Sequence, residues 1–153
     1  MKKLLTLTLI LVLALAALSG CVPKVFVDSD GNRVEVKGDT ISVKGEDGEA
    51  NISVGSNLSW PKDKMGGLPE LNGKISSVID TPQGVAVTVD GVSKSDYDSY
   101  VSKIKGQGYE SVTEVEMEGM VMFAGKKDDN GVNIQLHLDS DGKGSCIIIY
   151  GAD

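Results

Sequence analysis

The side chains able to do chemistry in this 153-residue chain are few: two cysteines, one histidine, five methionines and several aspartate-rich turns. Cys21 directly follows an apolar run, whereas Cys146 lies inside the apolar segment 145–150. A thiolate is a nucleophile and a metal ligand, an imidazole is a base or a ligand, and clustered carboxylates bind calcium. Because each of these chemistries needs partners at a fixed spacing, the neighbours of each residue decide among them.

The first twenty residues have the composition of a secretory signal peptide. Two lysines precede an apolar stretch, residues 4–17, which is shorter than the roughly 20 residues of a membrane-spanning helix. The next four residues, Leu18-Ser19-Gly20-Cys21, resemble the bacterial lipobox. The resemblance implies cleavage between Gly20 and Cys21 and lipidation of the Cys21 thiol. We therefore expect a membrane lipoprotein that is lipid-anchored and faces the extracytoplasmic side.

The residues around this cysteine refine the expected location. Val22 stands where some Gram-negative lipoproteins carry an aspartate for inner-membrane retention, so the outer membrane and a Gram-positive cell surface both stay open. We favour the Gram-positive surface, with the outer membrane as the location in a Gram-negative cell. The alternative is an ordinary secretory signal with an incidental cysteine. Once Cys21 is lipidated, Cys146 has no cysteine partner, so we predict a buried structural thiol and no intramolecular disulfide.

The charge balance restricts the class of partner. Two of the 15 basic residues lie in the leader, so residues 21–153 carry 13 basic and 22 acidic side chains, a formal net charge of −9. This balance excludes a basic nucleic-acid-binding surface. The recurrent Val, Ile and Leu residues argue against disorder of the whole chain, and the length fits one compact domain with or without a small appendage.

Turn signals divide the chain into short alternating runs. Six Asn-Gly or Asp-Gly pairs, typical of tight hairpins, separate segments in which apolar and polar residues alternate. We predict a signal peptide over residues 1–20, a short β-rich N-terminal region over 21–56, a Trp-Pro connector over 57–72, and a main domain over 73–153 on which the connector docks.

The main domain is predicted to contain six strands and one helix. Ser93 is an N-cap candidate, and an apolar stripe at helical spacing comes after it, formed by Tyr97, Tyr100, Val101 and Ile104. The predicted fold class is α+β: an antiparallel sheet with one amphipathic helix packed on a face, in the order β-β-α-β-β-β-β, preceded by a small β-hairpin region. The sequence leaves the order of strand pairing open.

Two parts of the chain carry a family resemblance. They are Trp60-Pro61, Met65-Gly66 and Leu68-Pro69-Glu70-Leu71 in the connector, and Val92-Ser93-Lys94-Ser95-Asp96-Tyr97 with Gly108-Tyr109 around the helix. Over roughly residues 57–150 the chain resembles an uncharacterised domain of small lipoproteins from Gram-positive, Clostridium-like bacteria. The resemblance implies a compartment and a fold, but no activity.

The sequence shows no catalytic or metal-binding motif around the single histidine. His137 alternates with Asn133 and Gln135 on the polar side of a predicted strand. No serine nucleophile motif or second histidine accompanies it, and the nitrogen and sulfur ligands of a zinc site are missing. We therefore interpret His137 as a solvated strand residue.

The aspartate-rich turns are weak calcium candidates. Asp28, Asp30, Asp139 and Asp141 lie in tetrads that resemble the start of a calcium-binding loop. An EF-hand beginning at Asp28 would need glycine at its sixth position and glutamate at its twelfth, where Arg33 and Asp39 stand. Asx-rich turns explain these tetrads without a metal, so no metal and no cofactor are predicted.

The soft and aromatic side chains allow two interpretations. Met117, Met120 and Met122 fit a soft-metal or peptide-binding surface, although strand alternation favours core or half-buried packing. Trp60 and Met65 are too apolar for a free linker and are candidate docking or binding residues.

These features favour a binding function over catalysis. We expect a membrane-anchored extracytoplasmic lipoprotein that binds an envelope protein or peptide, needs no cofactor and binds no nucleic acid. The alternative is a structural or inhibitor-like surface module. An enzyme of unidentified class ranks third, because no convergent set of titratable groups is visible.

The lipobox makes the first testable prediction. Mass spectrometry of the protein from its membrane is expected to find a mature chain that begins at Cys21 and carries acyl groups there, because the cysteine thiol is the acceptor of the lipid. The peptide containing Cys146 provides the internal control and should be unmodified. An unmodified Cys21, or cleavage at another bond, would contradict the prediction.

Overall fold

The computed structural model describes residues 24–27, 31–45 and 48–152. The strands are β1 (Lys24–Val27), β2 (Arg33–Lys37), β3 (Thr40–Gly45), β4 (Gly48–Val54), β5 (Lys74–Thr81), β6 (Gly84–Ser93), β7 (Glu110–Met117), β8 (Met120–Lys127), β9 (Asn130–Leu138) and β10 (Lys143–Ala152). The helix α1 (Lys94–Gly106) lies between β6 and β7. The ten described strands form one antiparallel sheet in the order β1-β2-β3-β4-β5-β6-β10-β9-β8-β7.

The predicted α+β class is wrong, because the described residues form a sheet-dominated fold that also takes in the predicted hairpin region. β4 pairs with β5 through Asn51↔Asp80 and Ile52↔Ile79, so the N-terminal strands extend the same sheet. The described part of the chain is dominated by its ten strands, against one helix of 13 residues. Alternation of apolar and polar residues locates the strands, but it carries no information about which strands pair across a connector. The β4–β5 pairing was therefore not predicted from the sequence.

A single seam joins the two halves of the sheet. β1 to β6 succeed one another as a meander, after which α1 carries the chain to β7 at the far edge. Hairpins then return the chain inward until β10 lies beside β6, with Val87 opposite Ile148 and Val89 opposite Cys146. The side chains of these four residues are completely buried.

The helix begins at a capping box. Ser93 has an extended backbone, its hydroxyl accepts a hydrogen bond from Asp96 N at 3.2 Å, and the Asp96 carboxylate accepts one from Ser93 N at 3.3 Å. Two backbone donors that the first turn would leave unpaired are thereby satisfied. The helix buries the stripe Tyr97, Tyr100, Val101 and Ile104.

The connector, residues 57–72, packs with the helix on the same side of the sheet. It contributes four buried side chains to the main core cluster: Trp60, Met65, Leu68 and Leu71. Tyr100 Oη donates a hydrogen bond to the Pro69 carbonyl at 2.9 Å, which fastens the connector to α1. Gly66 has φ +56°, and a Cβ there would lie 2.0 Å from Tyr150 Oη, so a larger residue would clash.

The core therefore lies on one face of the sheet, here called the covered face. It is formed by alternate residues of the central strands, namely Val85, Val87 and Val89 of β6, Cys146 and Ile148 of β10, Val132, Ile134 and Leu136 of β9, and Val121 and Phe123 of β8. The opposite side is called the open face. The next residue in each strand points to it, because side chains of a strand alternate between faces.

Truncation of the connector's central anchor tests its contribution. Met65 is fully buried, so Met65→Ala should lower the free energy of unfolding by about 2–5 kcal/mol, through lost burial and the cavity left behind. Urea denaturation measures the change. The matched control is Lys62→Ala, an exposed position of the same segment, where a change within about 0.5 kcal/mol is expected. Equal effects of both substitutions would contradict the packing of the connector.

Candidate functional site

A continuous row of apolar side chains crosses the open face. Direct cross-strand pairing links its members, one each from β2, β3, β4, β5, β6 and β10: Val36, Ile41, Ile52, Ile79, Ala86 and Ile149. We call this set the apolar row. Directly opposed residues in antiparallel strands have Cβ atoms about 4.5–5.5 Å apart, so the row is a continuous strip across six strands.

The apolar side of the sheet changes between its two halves. In the central strands the fully apolar side is the covered face, whereas β2, β3 and β4 present their valines and isoleucines to the open face. Their covered-face residues are polar, and Glu35, Ser42 and Asn51 pair across these strands. The N-terminal strands therefore add apolar surface to the side of the sheet that α1 and the connector leave uncovered.

The open face retains large exposed apolar side chains. The exposed fractions are 37% for Val54, 37% for Ile79 and 45% for Ile149. In the described ranges, α1 and the connector pack on the covered face, and the apolar row is most exposed at Ile79 and Ile149, whereas Val36 at its other end is buried. Contiguous exposed apolar surface is a feature of protein interaction sites, so the open face is a candidate site.

The row leads into a cleft of about 540 Å³ at one end of the sheet. Its walls include Ile79, Ala86, Val112, Ala124, Asn133 and Ile149. Ile79 lies in β5 and Val112 in β7, with four strands between them, so the sheet curls toward the open face at this end. Val112 is the extra residue of a β-bulge, and bulges bend the strand that carries them.

Two paired glycines keep the floor of the cleft open. Gly84 of β6 lies opposite Gly151 of β10. A Cβ on Gly84 would lie 2.3 Å from the Tyr150 carbonyl oxygen, and a Cβ on Gly151 would lie 2.4 Å from the Gln83 carbonyl oxygen. The two strands approach closely only because neither residue carries a side chain.

A second, smaller cleft of about 260 Å³ lies between α1 and β7. The charges on its rim neutralise one another: Lys105 Nζ lies 2.7 Å from Glu114 Oε1, and Lys94 Nζ lies 3.8 Å from Glu116 Oε2. Hydrogen bonds from Lys105 and Ser111 lower the pKa of the Glu114 carboxyl. Since these charges already have partners, the α1–β7 cleft is a weaker binding candidate than the apolar row.

The structure places His137 on the open face beside Ser145, but not as part of a catalytic triad. Ser145 lies opposite His137 in β9 and opposite Asp90 in β6. The Ser145 hydroxyl donates a 2.6 Å hydrogen bond to Asp90 Oδ1. A triad needs that hydroxyl to donate to the imidazole, with the carboxylate behind the imidazole, so the order of these groups is unsuitable for nucleophilic catalysis.

The thiol of Cys146 lies in the core on the covered face. It is fully buried against β6 and β9 and forms no disulfide among the described residues. Burial raises the pKa of this thiol to about 12. Because the reactive species is the thiolate, a thiol in this environment is a poor nucleophile.

The calcium candidates in the described ranges are held by turn hydrogen bonds. Asp141 Oδ1 accepts a hydrogen bond from Lys143 N at 3.1 Å, and Asp139 N donates to the Lys143 carbonyl at 2.7 Å. Asp28 and Asp30 lie outside the described residues. In the part of the chain that the structure describes, no group of three or more His, Cys, Asp or Glu side chains is placed to hold a metal ion.

The connector residues that sequence analysis singled out face inward. Trp60 is 5% exposed and Met65 is fully buried, so both pack against the core and neither is accessible to an external partner. Trp60 Nε1 has no hydrogen-bond partner among the described residues. The apolar row was not predicted from the sequence. Its signal there is the set of valines and isoleucines in the segments that form β2, β3 and β4, for which the sequence predicts no covering helix.

Two further findings bear on the predicted lipoprotein. Gly20 and Cys21 lie outside the described residues, so cleavage and lipidation stay predictions. Among the helices that the structure describes, none is long and apolar enough to cross a membrane.

Comparison of the chain with models of protein families, with curated proteins and with solved structures gives no match. The resemblance to an uncharacterised lipoprotein domain therefore stays a prediction, and the function is argued from the surface of the molecule.

Burial of Cys146 predicts its reactivity. In the folded protein at pH 8, iodoacetamide should leave Cys146 unmodified, because the thiol is inaccessible and its raised pKa keeps it protonated. In a parallel sample in urea, which serves as the control, the same residue should be alkylated. Peptide mass spectrometry measures both. Rapid alkylation in the folded protein would contradict the assignment of Cys146 as a structural residue.

Proposed function

We propose that this protein is a lipid-anchored module on the extracytoplasmic side of the membrane that binds an apolar segment of another envelope protein through its open face. The apolar row, in which Ile79 and Ile149 are exposed, is the observation that carries the proposal. The lipobox at Cys21 supports the anchoring, because acyl chains on that residue would hold the sheet close to other envelope proteins.

The open face is a better docking surface than the β7 edge of the sheet. β7 is an edge strand that carries Glu110, Glu114 and Glu116 and is interrupted by the bulge at Val112. Charged residues and bulges on an edge strand oppose the addition of another strand. A partner that packs onto the apolar row avoids these charges.

The charge of the protein indicates the character of the partner. Residues 21–153 carry a formal net charge of −9, from 13 basic and 22 acidic side chains. A segment with an apolar centre and basic flanks would gain both burial on the apolar row and electrostatic attraction during encounter. Shape and burial supply most of the affinity, and charge supplies selectivity and the association rate.

Catalysis is not part of the proposal. The candidate nucleophile Cys146 is buried, and the Ser145 hydroxyl near His137 donates to a carboxylate rather than to the imidazole. A binding module needs neither group.

Site-specific photo-crosslinking in intact cells tests the proposed face. The full-length protein carries p-benzoylphenylalanine at position 149 on the open face, or at position 25, which pairs with Glu35 and belongs to the covered side. The two native residues are matched in exposure, at 45% for Ile149 and 47% for Val25. A discrete protein adduct is expected at position 149 alone.

Charge substitutions give the matching loss-of-function test. In these variants the probe is at position 79. Ile149→Glu should abolish the adduct, because the substitution places a carboxylate in the apolar row. Val25→Glu should leave the adduct intact. Melting temperatures should stay close to that of the parent for both. The same adduct from both probe positions, only lipid or self-crosslinks at position 149, or binding that survives Ile149→Glu would contradict the proposal.

A further inference from the structure

Three methionines and the only histidine meet on the open face, at the end of the sheet away from the cleft. Met120 lies opposite His137 across β8 and β9, and Met117 lies opposite Met120 across β7 and β8. Met122 is two residues beyond Met120 in the same strand, so it points to the same face. We call these four residues the Met-His cluster. Sequence alternation placed two of the methionines together, but only the register adds Met117 and His137.

The ladder brings the imidazole and a thioether close together. Leu138 N donates to the Gly119 carbonyl at 2.8 Å. Since hydrogen-bonded and non-hydrogen-bonded pairs alternate along an antiparallel ladder, the next pair, Met120 and His137, is a non-hydrogen-bonded pair. Side chains of such pairs are the closer ones in an antiparallel ladder. Met117 and Met120 flank the two-residue turn of the β7–β8 hairpin, which fixes their opposition.

Packing does not account for these methionines. Met117 is 56% exposed, Met120 and Met122 are half-buried, and none of the three belongs to the core cluster. His137 is exposed, and its side chain has no hydrogen bond to any residue of the described ranges. The nearest polar neighbour across the ladder, Ser145, directs its hydroxyl to Asp90 instead. The sulfur atoms and the imidazole are therefore available as ligands.

We propose that the Met-His cluster binds a soft monovalent metal ion, Cu(I) or its analogue Ag(I), through up to three thioethers and the His137 imidazole. Thioether and imidazole ligands favour soft ions, whereas calcium and magnesium take oxygen ligands. The unbranched methionine side chains can turn their sulfur atoms toward one point without movement of the strands. The site lies at the end of the sheet away from the cleft into which the apolar row leads, and it does not depend on a protein partner.

Silver titration of the full-length protein in detergent tests the site, since Ag(I) is not redox-active under these conditions. Accessible thiols are first alkylated with N-ethylmaleimide, so that Cys21 cannot act as a ligand, and the buffer contains no chloride. Calorimetry should give one Ag(I) per chain. In protein labelled at the methionine methyl carbons, NMR should show Ag(I)-dependent shifts for Met117, Met120 and Met122 but not for the buried Met65.

Variants locate the ligands. The double variant Met120→Leu/Met122→Leu should lose the stoichiometric phase of binding, and His137→Gln should weaken it. Met65→Leu, which removes a thioether outside the cluster at nearly constant volume, is the matched control and should bind as the parent does. Equal binding of Ca(II) and Ag(I), stationary methyl signals of Met120 and Met122, or full binding by the double variant would overturn the proposal. The methyl shifts report on the parent protein and remain decisive if a variant does not fold.

Discussion

The pairing of β6 with β10 is the interaction on which the rest of the structure depends. It joins strands that are separated in the chain by α1 and three further strands, and it closes the path from β6 through α1 and three hairpins back to the centre of the sheet. The chain entropy lost in closing this path is offset by the complete burial of the side chains at the seam, namely Val87, Val89, Cys146 and Ile148. Every other strand is placed by a sequentially adjacent hairpin or by the β4–β5 pairing.

The width of the resulting sheet explains its exposed apolar surface. Among the described elements, one helix of 13 residues and the connector cover the central strands, and they do so on one side only. The apolar residues of β2, β3 and β4 point to the other side, away from α1 and the connector. An apolar strip left in this position is stabilised only when something else packs on it. This physical imbalance, rather than any motif, is the reason why we propose the open face as the binding surface of the molecule.

The two faces of the sheet place the reactive groups in different environments. Cys146 and the tyrosines of α1 lie beneath the helix, where burial raises the pKa of Cys146 and of Tyr97 and keeps both groups protonated. His137 and the three methionines of the β7–β8 hairpin lie on the other side, where ligands can reach them. Side chains alternate between the two faces along each strand. This alternation places the cysteine in the inert interior and the histidine and methionines on the accessible surface.

The sequence by itself determined the local features. Alternation of apolar residues located strands such as Lys74–Thr81, the capping pair Ser93 and Asp96 located the start of α1, and the apolar anchors Trp60 and Met65 indicated a docked connector. Only the tertiary structure decided that β4 pairs with β5 in one ten-stranded sheet, which made the predicted α+β class wrong, and that Met120 lies opposite His137. The physical reason is that side-chain periodicity and capping act over a few neighbouring residues. Strand order and register instead depend on which distant segments bury their surfaces together.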